Sequence, residues 1–348
     1  MNLKETIAEL CSLPGPAGFE EQVAVHAKTI IAPYVDEVRI DTLGNVIGVK
    51  RCGKENAKKL LFDAHIDEIG FVVTGVEEGF LRFSKLGGFD ARVIPAAGVT
   101  VCTDPPLYGV ISVLPPHILK KEDTENNFKI EDLFIDVGLS QEEASKLISP
   151  GTFGVFAQGV RDFAGNLIYG KAIDDRAGLA AILRCMELLD GTELDVDIYI
   201  MASTQEEVGS RGATAGAYAI GADYSVVIDV DHAKTPDTKP AETVIVLGDG
   251  VVITRGPNMN LMLTETVIRL AQENNIKHQI NVKAGSNSGT NARAIQISKT
   301  GTATALLGLP MKYMHSANEV ASLDDIESAA QLLSLTAKNM KEVFNNVG

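Results

Sequence analysis

Tryptophan is absent from this 348-residue chain, and aromatic side chains make up only 5% of it, which leaves little for sugar rings to stack on. Cysteine is scarce as well. Cys11, Cys52, Cys102 and Cys185 are widely spaced with no CxxC pair, which argues against a disulfide framework or a thiolate metal knot and suits a reducing compartment. No apolar run approaches the ~20 residues that cross a bilayer. The opening MNLKETIAEL has the charge and period of an amphipathic helix rather than of a signal peptide, so a cytoplasmic protein with no membrane partner is expected. Positive charge is also short, 31 Lys and Arg against 46 Asp and Glu, a formal net charge of -15. That balance opposes binding to phosphate backbones, whose sequence-independent affinity comes from Lys and Arg displacing counterions, so nucleic acid is not an expected partner.

What the chain does have is length for two domains and five scattered acid and histidine signatures. These are DAHIDEIGF at 63–71, KAIDDRAG at 171–178, TQEEVGSRGA at 204–213, VVIDVDHA at 226–233 and KYMHSANE at 312–319. Each alone arises readily by chance, but together they could supply a bridging carboxylate, the two ends of a dinuclear metal site and a free general base. Four of the five follow or end an apolar run, at 60–62, 198–202, 226–228 and 305–309, that reads as a strand buried on both faces. In an open sheet with helices between its strands, ligands bind outside the carboxyl ends of the strands, where residues distant in sequence converge.

Helical and strand signals alternate at the two ends of the chain but not in its middle. Arg176 to Leu189 puts Leu179, Ile182, Leu183 and Met186 on one helical face, and Ser322 with Asp325 has capping-box spacing before Ile326, Ala329, Leu333, Ala337 and Met340. Between about 70 and 165 the pattern becomes short Val- and Ile-rich runs punctuated by Gly and Pro, with little room for crossover helices. The fold class expected is α/β: a mixed-sheet domain, residues 1–70 and 164–348, interrupted by a small β-barrel-like domain at 71–163. The polar segment 120–132 is expected to be a mobile, solvated loop, with a lid as the less favoured reading.

Local chemistry takes the site part of the way. His65 and Asp67, two apart at a strand end, can point to one face, with His65 as a ligand and Asp67 orienting its imidazole. Asp174 and Asp175 open a helix, where capping alone would account for them. The adjacent acids Glu206 and Glu207 would repel unless cations lay nearby, and Gly209 and Gly212 beside them argue for a tight turn near the site. Asp229 and Asp231 share a face by alternation, so periodicity cannot choose between them. His315 completes the acid and histidine set, whereas His26, His117 and His278 read as structural or surface residues.

With these signatures, and with GPN at 256–258, SGTNA at 288–292 and PPH at 115–117, nearly the whole chain resembles the dinuclear-metal aminopeptidases that include glutamyl, deblocking and tetrahedral aminopeptidases (metallopeptidase family 42), some members of which carry an endoglucanase label. The resemblance implies a set of roles. Asp174 bridges two metals with Asp175 and Arg176 as supports, and Glu207 is a ligand with Glu206 the general base. The ligand on the fourth signature is Asp229, the acid three before His232, in preference to Asp231 or His232. One metal would then take His65, Asp174 and Asp229, the other Asp174, Glu207 and His315. Three carboxylates and a bridging hydroxide balance two divalent ions, and mixed imidazole and carboxylate donors suit zinc, cobalt or manganese. One departure is Asn291, where the family usually has Asp; its expected bearing is on the substrate pocket rather than on the metals.

The reaction so implied is hydrolysis of N-terminal residues from peptides through a water held between two metals, with Glu206 as the proton acceptor. Family members form dimers that assemble into twelve-subunit particles, so self-association through the insert is expected. Two other readings compete. A glycan hydrolase would need two carboxylates flanking a sugar bond, a task poorly served by carboxylates tied to metals. A non-catalytic, metal-stabilised assembly would leave Glu206 without a role.

Overall fold

The computed structural model describes residues 1–113, 129–238, 244–283 and 289–347. The chain begins with helices α1 (Leu3–Ser12) and α2 (Glu21–Ile31) and strands β1 (Glu37–Ile40), β2 (Val46–Lys50) and β3 (Lys58–His65). Then come β4 (Gly70–Glu77), β5 (Phe80–Leu86), β6 (Gly98–Val101), β7 (Leu107–Ser112), β8 (Phe134–Asp136), α3 (Gln141–Leu147) and β9 (Phe153–Phe156). Beyond these lie β10 (Arg161–Asp162), β11 (Leu167–Gly170), α4 (Ile173–Leu188), β12 (Val196–Ser203), α5 (Arg211–Ile220), β13 (Tyr224–His232) and β14 (Val251–Arg255). The last elements are α6 (Leu261–Glu273), β15 (His278–Val282), α7 (Ala292–Ile295), β16 (Ala303–Lys312), β17 (Glu319–Ser322), α8 (Leu323–Lys338) and α9 (Met340–Val347).

The four apolar runs of the sequence are β3, β12, β13 and β16, neighbours in parallel at the centre of an eleven-stranded mixed sheet. Their residues are buried on both faces. On β12, Ile198, Ile200 and Ala202 pack into the cluster under α1, α2, α4, α6 and α8, while Tyr199 and Met201 face the smaller cluster under α5 and α7. Burial of both faces is why the runs are continuous rather than alternating. Antiparallel strands flank this core, β2 and β1 beyond β12, and β17, β11 and β10 beyond β16. Among the described residues no helix is long and apolar enough to cross a membrane.

The middle of the chain closes into a six-stranded antiparallel barrel in the order β4-β5-β8-β7-β6-β9. A register shift between Val73 and Gly75 bends β4, as a bulge does, and Phe71, Val73, Leu81, Phe83, Val99 and Ile135 fill the interior. Gly154 is required by contact: a Cβ there would lie 2.2 Å from the Phe71 ring. Hydrogen bonding returns to the large sheet at Arg161 and Asp162, which pair with β11.

The structure differs from the sequence reading in two places. The seven-residue α3 lies in a stretch read as strands alone; it starts at a capping box of Ser140 and Glu143. At α8, Ser322 makes no side-chain cap bond, and Asp325 instead accepts the amides of Gly248 and Gly250, both at 2.7 Å, because a loop packs over that helix start. The loop at 120–132 falls outside the described residues up to 128; Lys129 and Ile130–Asp132 form a single short turn on the surface. Pro115, Pro116 and His117 also lie outside the described residues.

One buried ion cluster ties the N-terminal helices to the strand ends. The Arg176 guanidinium, fully buried, donates to the carbonyls of Leu10 (2.7 Å), Leu13 (2.6 Å) and Ile66 (3.0 Å) and to Glu68 (3.0 Å), while Lys171 reaches both Glu68 oxygens at 2.9 Å. Arg176→Met keeps the bulk and strips these partners, and is expected to destabilise by about 3 kcal/mol or more because buried polar groups lose their bonds. Urea unfolding measures this; a loss below about 1 kcal/mol would show that the carbonyls find other donors.

Candidate metal centre

The parallel strands deliver their carboxyl ends to one edge of the sheet. His65 is the last residue of β3 and stands in register with Ser203 at the end of β12; Asp229 lies near the end of β13. Asp174 and Asp175 enter α4 with non-helical dihedrals and are joined by a cis peptide bond. Glu206 and Glu207 follow β12, and His315 follows β16.

These residues converge on two groups of ligand atoms, each lying within 4.8 Å: His65, Asp174 and Asp229 in one, Asp174, Glu207 and His315 in the other. Asp174 belongs to both. Its Oδ1 lies 3.1 Å from His65 Nε2 and its Oδ2 lies 3.4 Å from His315 Nε2, which also lies 3.3 Å from Glu207 Oε1. Glu206 falls outside both groups. Its Oε1 accepts a 3.4 Å bond from the Ser210 hydroxyl.

Asp231 and His232 are placed elsewhere. Asp231 accepts from Asn281 at 2.7 Å and lies 3.4 Å from Lys283 Nζ, and His232 is exposed. Asp67 does more than face His65. The His65 Nδ1 is 3.1 Å from the Asp67 carbonyl and 3.4 Å from its carboxylate, whose two oxygens accept the amides of Glu206 (2.9 Å) and Glu207 (3.1 Å). One side chain therefore holds the imidazole and the acid pair together. Asp175 belongs to neither group. It is fully buried, and among the described residues its oxygens have no hydrogen-bond partner. They lie where a side chain on Gly178 would sit, 2.4 Å from the nearest Cβ position.

The electrostatics are those of a pocket with more acid than it can keep ionised. Burial, then the charge of Asp229, pushes Asp175 well above the carboxylate range, and burial followed by Glu206 does the same to Asp229. Glu207 rises through burial and Asp174, and Glu206 rises chiefly through burial. Burial opposes charge on the two histidines, yet contact with the carboxylates outweighs it: His65 is held well above its usual value and His315 at about 10. The cluster thus draws protons onto its imidazoles in the absence of other cations. Hard and borderline donors, unpartnered buried oxygens and excess negative charge form a set that two divalent cations fit.

Three supporting acids are not singled out by the sequence reading. Glu319, 1% exposed, accepts the Asp174 amide at 3.1 Å and the His315 amide at 3.2 Å; burial, then the charge of Asp174, pushes it up to about 8. Glu20, pushed up to about 7 by burial, accepts the Gln205 amide at 3.1 Å. Asp63, raised to about 7 by burial, accepts from the Asn291 amide at 3.0 Å. Asn291 is 1% exposed and also reaches Ser203 at 2.9 Å, so it sits beneath the strand ends.

The family described as M42 glutamyl aminopeptidase matches residues 44–332. Lysyl aminopeptidase of Pyrococcus furiosus is 34% identical over 344 residues, covering 97% of each chain. Among solved structures, aminopeptidase APDkam598 of Desulfurococcus kamchatkensis superposes with a TM-score of 0.91 at 32% identity, over 99% of this chain and 98% of that one. The TET1 peptidase of Pyrococcus horikoshii, which can assemble into a tetrahedron or a large octahedral shell, does so at 0.84 with 32% identity, over 97% and 99%.

Glu319→Gln tests whether the buried acid holds the two ligand-bearing backbones. An amide has one acceptor oxygen where the carboxylate has two, so one backbone amide is left unpaired. Supporting groups of this kind typically change metal affinity by about 10- to 100-fold, and a loss of that size is expected in calorimetric titration with divalent metal. Wild-type affinity at both equivalents would rule the positioning role out.

Proposed function

The chain belongs to the M42 glutamyl aminopeptidase family, and we propose that it trims N-terminal residues from peptides at two divalent metal ions, one held by His65, Asp174 and Asp229, the other by Asp174, Glu207 and His315. It is an aminopeptidase, a hydrolase of peptide bonds. The observation that carries the ligand assignment is the position of Asp174, whose two oxygens face the two histidines and which is common to both groups. Zinc is the ion we assign, with cobalt and manganese fitting the same donors.

When bound, such ions lower the pKa of water and polarise the scissile carbonyl. Glu206 is the general base: it takes the proton of the attacking water and returns it to the leaving amine. Its place fits that task, since it follows the same strand as the ligand Glu207 without belonging to either group, and burial raises its pKa. Ser210 and the amide anchor on Asp67 fix its position. Asp67 acts through others, orienting His65 and holding the backbone of both glutamates.

Self-association belongs to the same reading. The insert at 71–163 is the proposed first contact between subunits, leading to dimers and on to twelve-subunit particles. Support comes from Val93, Tyr108 and Leu147, large apolar residues of that segment that are 58%, 65% and 51% exposed, and from the assembling TET1 relative. The four cysteines are free, which accords with a cytoplasmic setting.

Two pairs of variants test the roles. Glu206→Gln keeps shape but cannot take a proton, so it should retain both metals and lose about 10²- to 10⁴-fold in kcat. Glu207→Gln should lose activity together with metal and recover part of it in excess metal; metal loss at Glu206 with retention at Glu207 would exchange the assignments. Asp174→Ala should release both ions and His315→Ala mainly one, as elemental analysis of the purified proteins would read. Two equivalents retained by Asp174→Ala would remove the bridging role.

A further inference from the structure

A cavity of about 950 Å³ opens between α5, the turn at 257–258 and the segment from α7 to Lys299. Ser210 at one end of its wall donates to Glu206, so the cavity begins beside the proposed base. Among the described residues its lining includes two cations, Arg293 and Lys299, and no acid, in a chain whose formal charge is -15. Two polar side chains there are unspent. The half-buried Arg293 guanidinium makes no hydrogen bond or ion pair among the described residues, whereas Arg255 is paired with Glu265 and Arg269 with Glu273. Asn258, only 7% exposed, likewise has a side-chain amide with no partner among the described residues. An amide on the cavity wall is free to donate to a ligand, and a guanidinium on a concave wall with no counter-charge is a ready partner for a carboxylate. Lys299 is engaged otherwise, lying 5.4 Å from the centre of the Tyr218 ring.

We propose that this cavity receives a carboxylate of the peptide substrate, clamped by Arg293 with Asn258 as a second donor. The assignment rests on the aminopeptidase reading and deepens it. Planar guanidinium and planar carboxylate match in a two-pronged bond, and the amide nitrogen of Asn258 supplies a donor from a second direction. Two parts of a peptide carry such a group: an acidic N-terminal side chain and the C-terminus of a short peptide. The experiment separates them.

Steady-state kinetics of the full-length protein, wild type and Arg293→Met, would be measured on two matched pairs: the p-nitroanilides of glutamate and glutamine, and the dipeptide Leu-Gly beside its C-terminal amide. Loss of a charged hydrogen-bond partner should reduce kcat/KM by about 10- to 100-fold for the carboxylate member of one pair, mainly through KM, and leave its neutral member unchanged. Loss in the first pair assigns the cavity to an acidic first residue, and loss in the second to the peptide's C-terminus. Arg293→Lys, which keeps charge without the fork, should fall between. The neutral substrates report folding in the same samples. Equal effects on charged and neutral members, or none on either, would overturn the carboxylate site while leaving the peptidase intact. A wild-type protein inert toward all four substrates would overturn the aminopeptidase reading, and this one with it.

Discussion

Everything at the carboxyl edge of the parallel strands answers to one constraint: six carboxylates are buried there against two imidazoles. Asp63, Asp67, Asp174, Asp175, Asp229 and Glu319 are each at most 6% exposed, and the half-buried Glu206 and Glu207 add to them. An isolated ionised carboxylate moved out of water is strongly disfavoured, so each must be protonated, bonded to amides or shared with a cation. The fold divides the acids among these solutions. Asp67 and Glu319 are spent on backbone amides, Asp63 on Asn291, and Glu68, just below, on Lys171 and Arg176. The acids that remain, Asp174, Asp175, Asp229, Glu206 and Glu207, have fewer protein donors, and both oxygens of Asp175 have none among the described residues. The excess charge is therefore a product of the architecture, confined to one place where divalent cations would relieve it.

Holding such a set together demands backbone that the side chains alone would not choose. Ala172 before the Asp174 motif, Gln205 before the glutamate pair, Ser210 after it and His315 itself all have positive φ, at 57°, 56°, 56° and 61°. Each is a strained choice for a residue with a Cβ, and each is bonded or packed into place nearby. Glu20 fixes the Gln205 amide, Glu319 the His315 amide, and the Glu68–Lys171–Arg176 cluster braces the approach to Asp174. The pattern is one of pre-organisation: the ligand geometry is set by buried bonds to the main chain before any metal or peptide arrives.

The parts of this arrangement that the sequence revealed are those encoded locally. Continuous apolar runs betrayed β3, β12, β13 and β16 because burial on both faces removes alternation, and short Gly-punctuated runs betrayed most of the barrel. The acid and histidine residues stood out because few other roles place such types at strand ends. What stayed hidden was decided by distant contacts. Alternation puts Asp229 and Asp231 on one face; Asn281 and Lys283, fifty residues on, draw Asp231 away. Asp325 has capping spacing, yet two glycine amides from another loop claim it. The anchoring roles of Glu319, Glu20 and Asp67 are bonds to backbone amides, which carry no letter in a sequence.

Asn291 shows how a departure from a family pattern is understood only in three dimensions. In the sequence it reads as a change beside the substrate. In the fold its Nδ2 donates to Asp63 and to Ser203, both fully buried, beneath the ends of β3 and β12. With an acid at this position, as the resemblance leads one to expect, two carboxylates would meet at hydrogen-bond distance, and one proton would have to be shared between them. The amide supplies its own donor instead, so Asp63 is bonded without that proton. The side chain at this position therefore bears on the charge of Asp63 under the strand ends. Two residues along, Arg293 turns to the cavity with its charge unspent. One short segment is therefore neutral where it meets the buried acids and cationic where it lines the cavity.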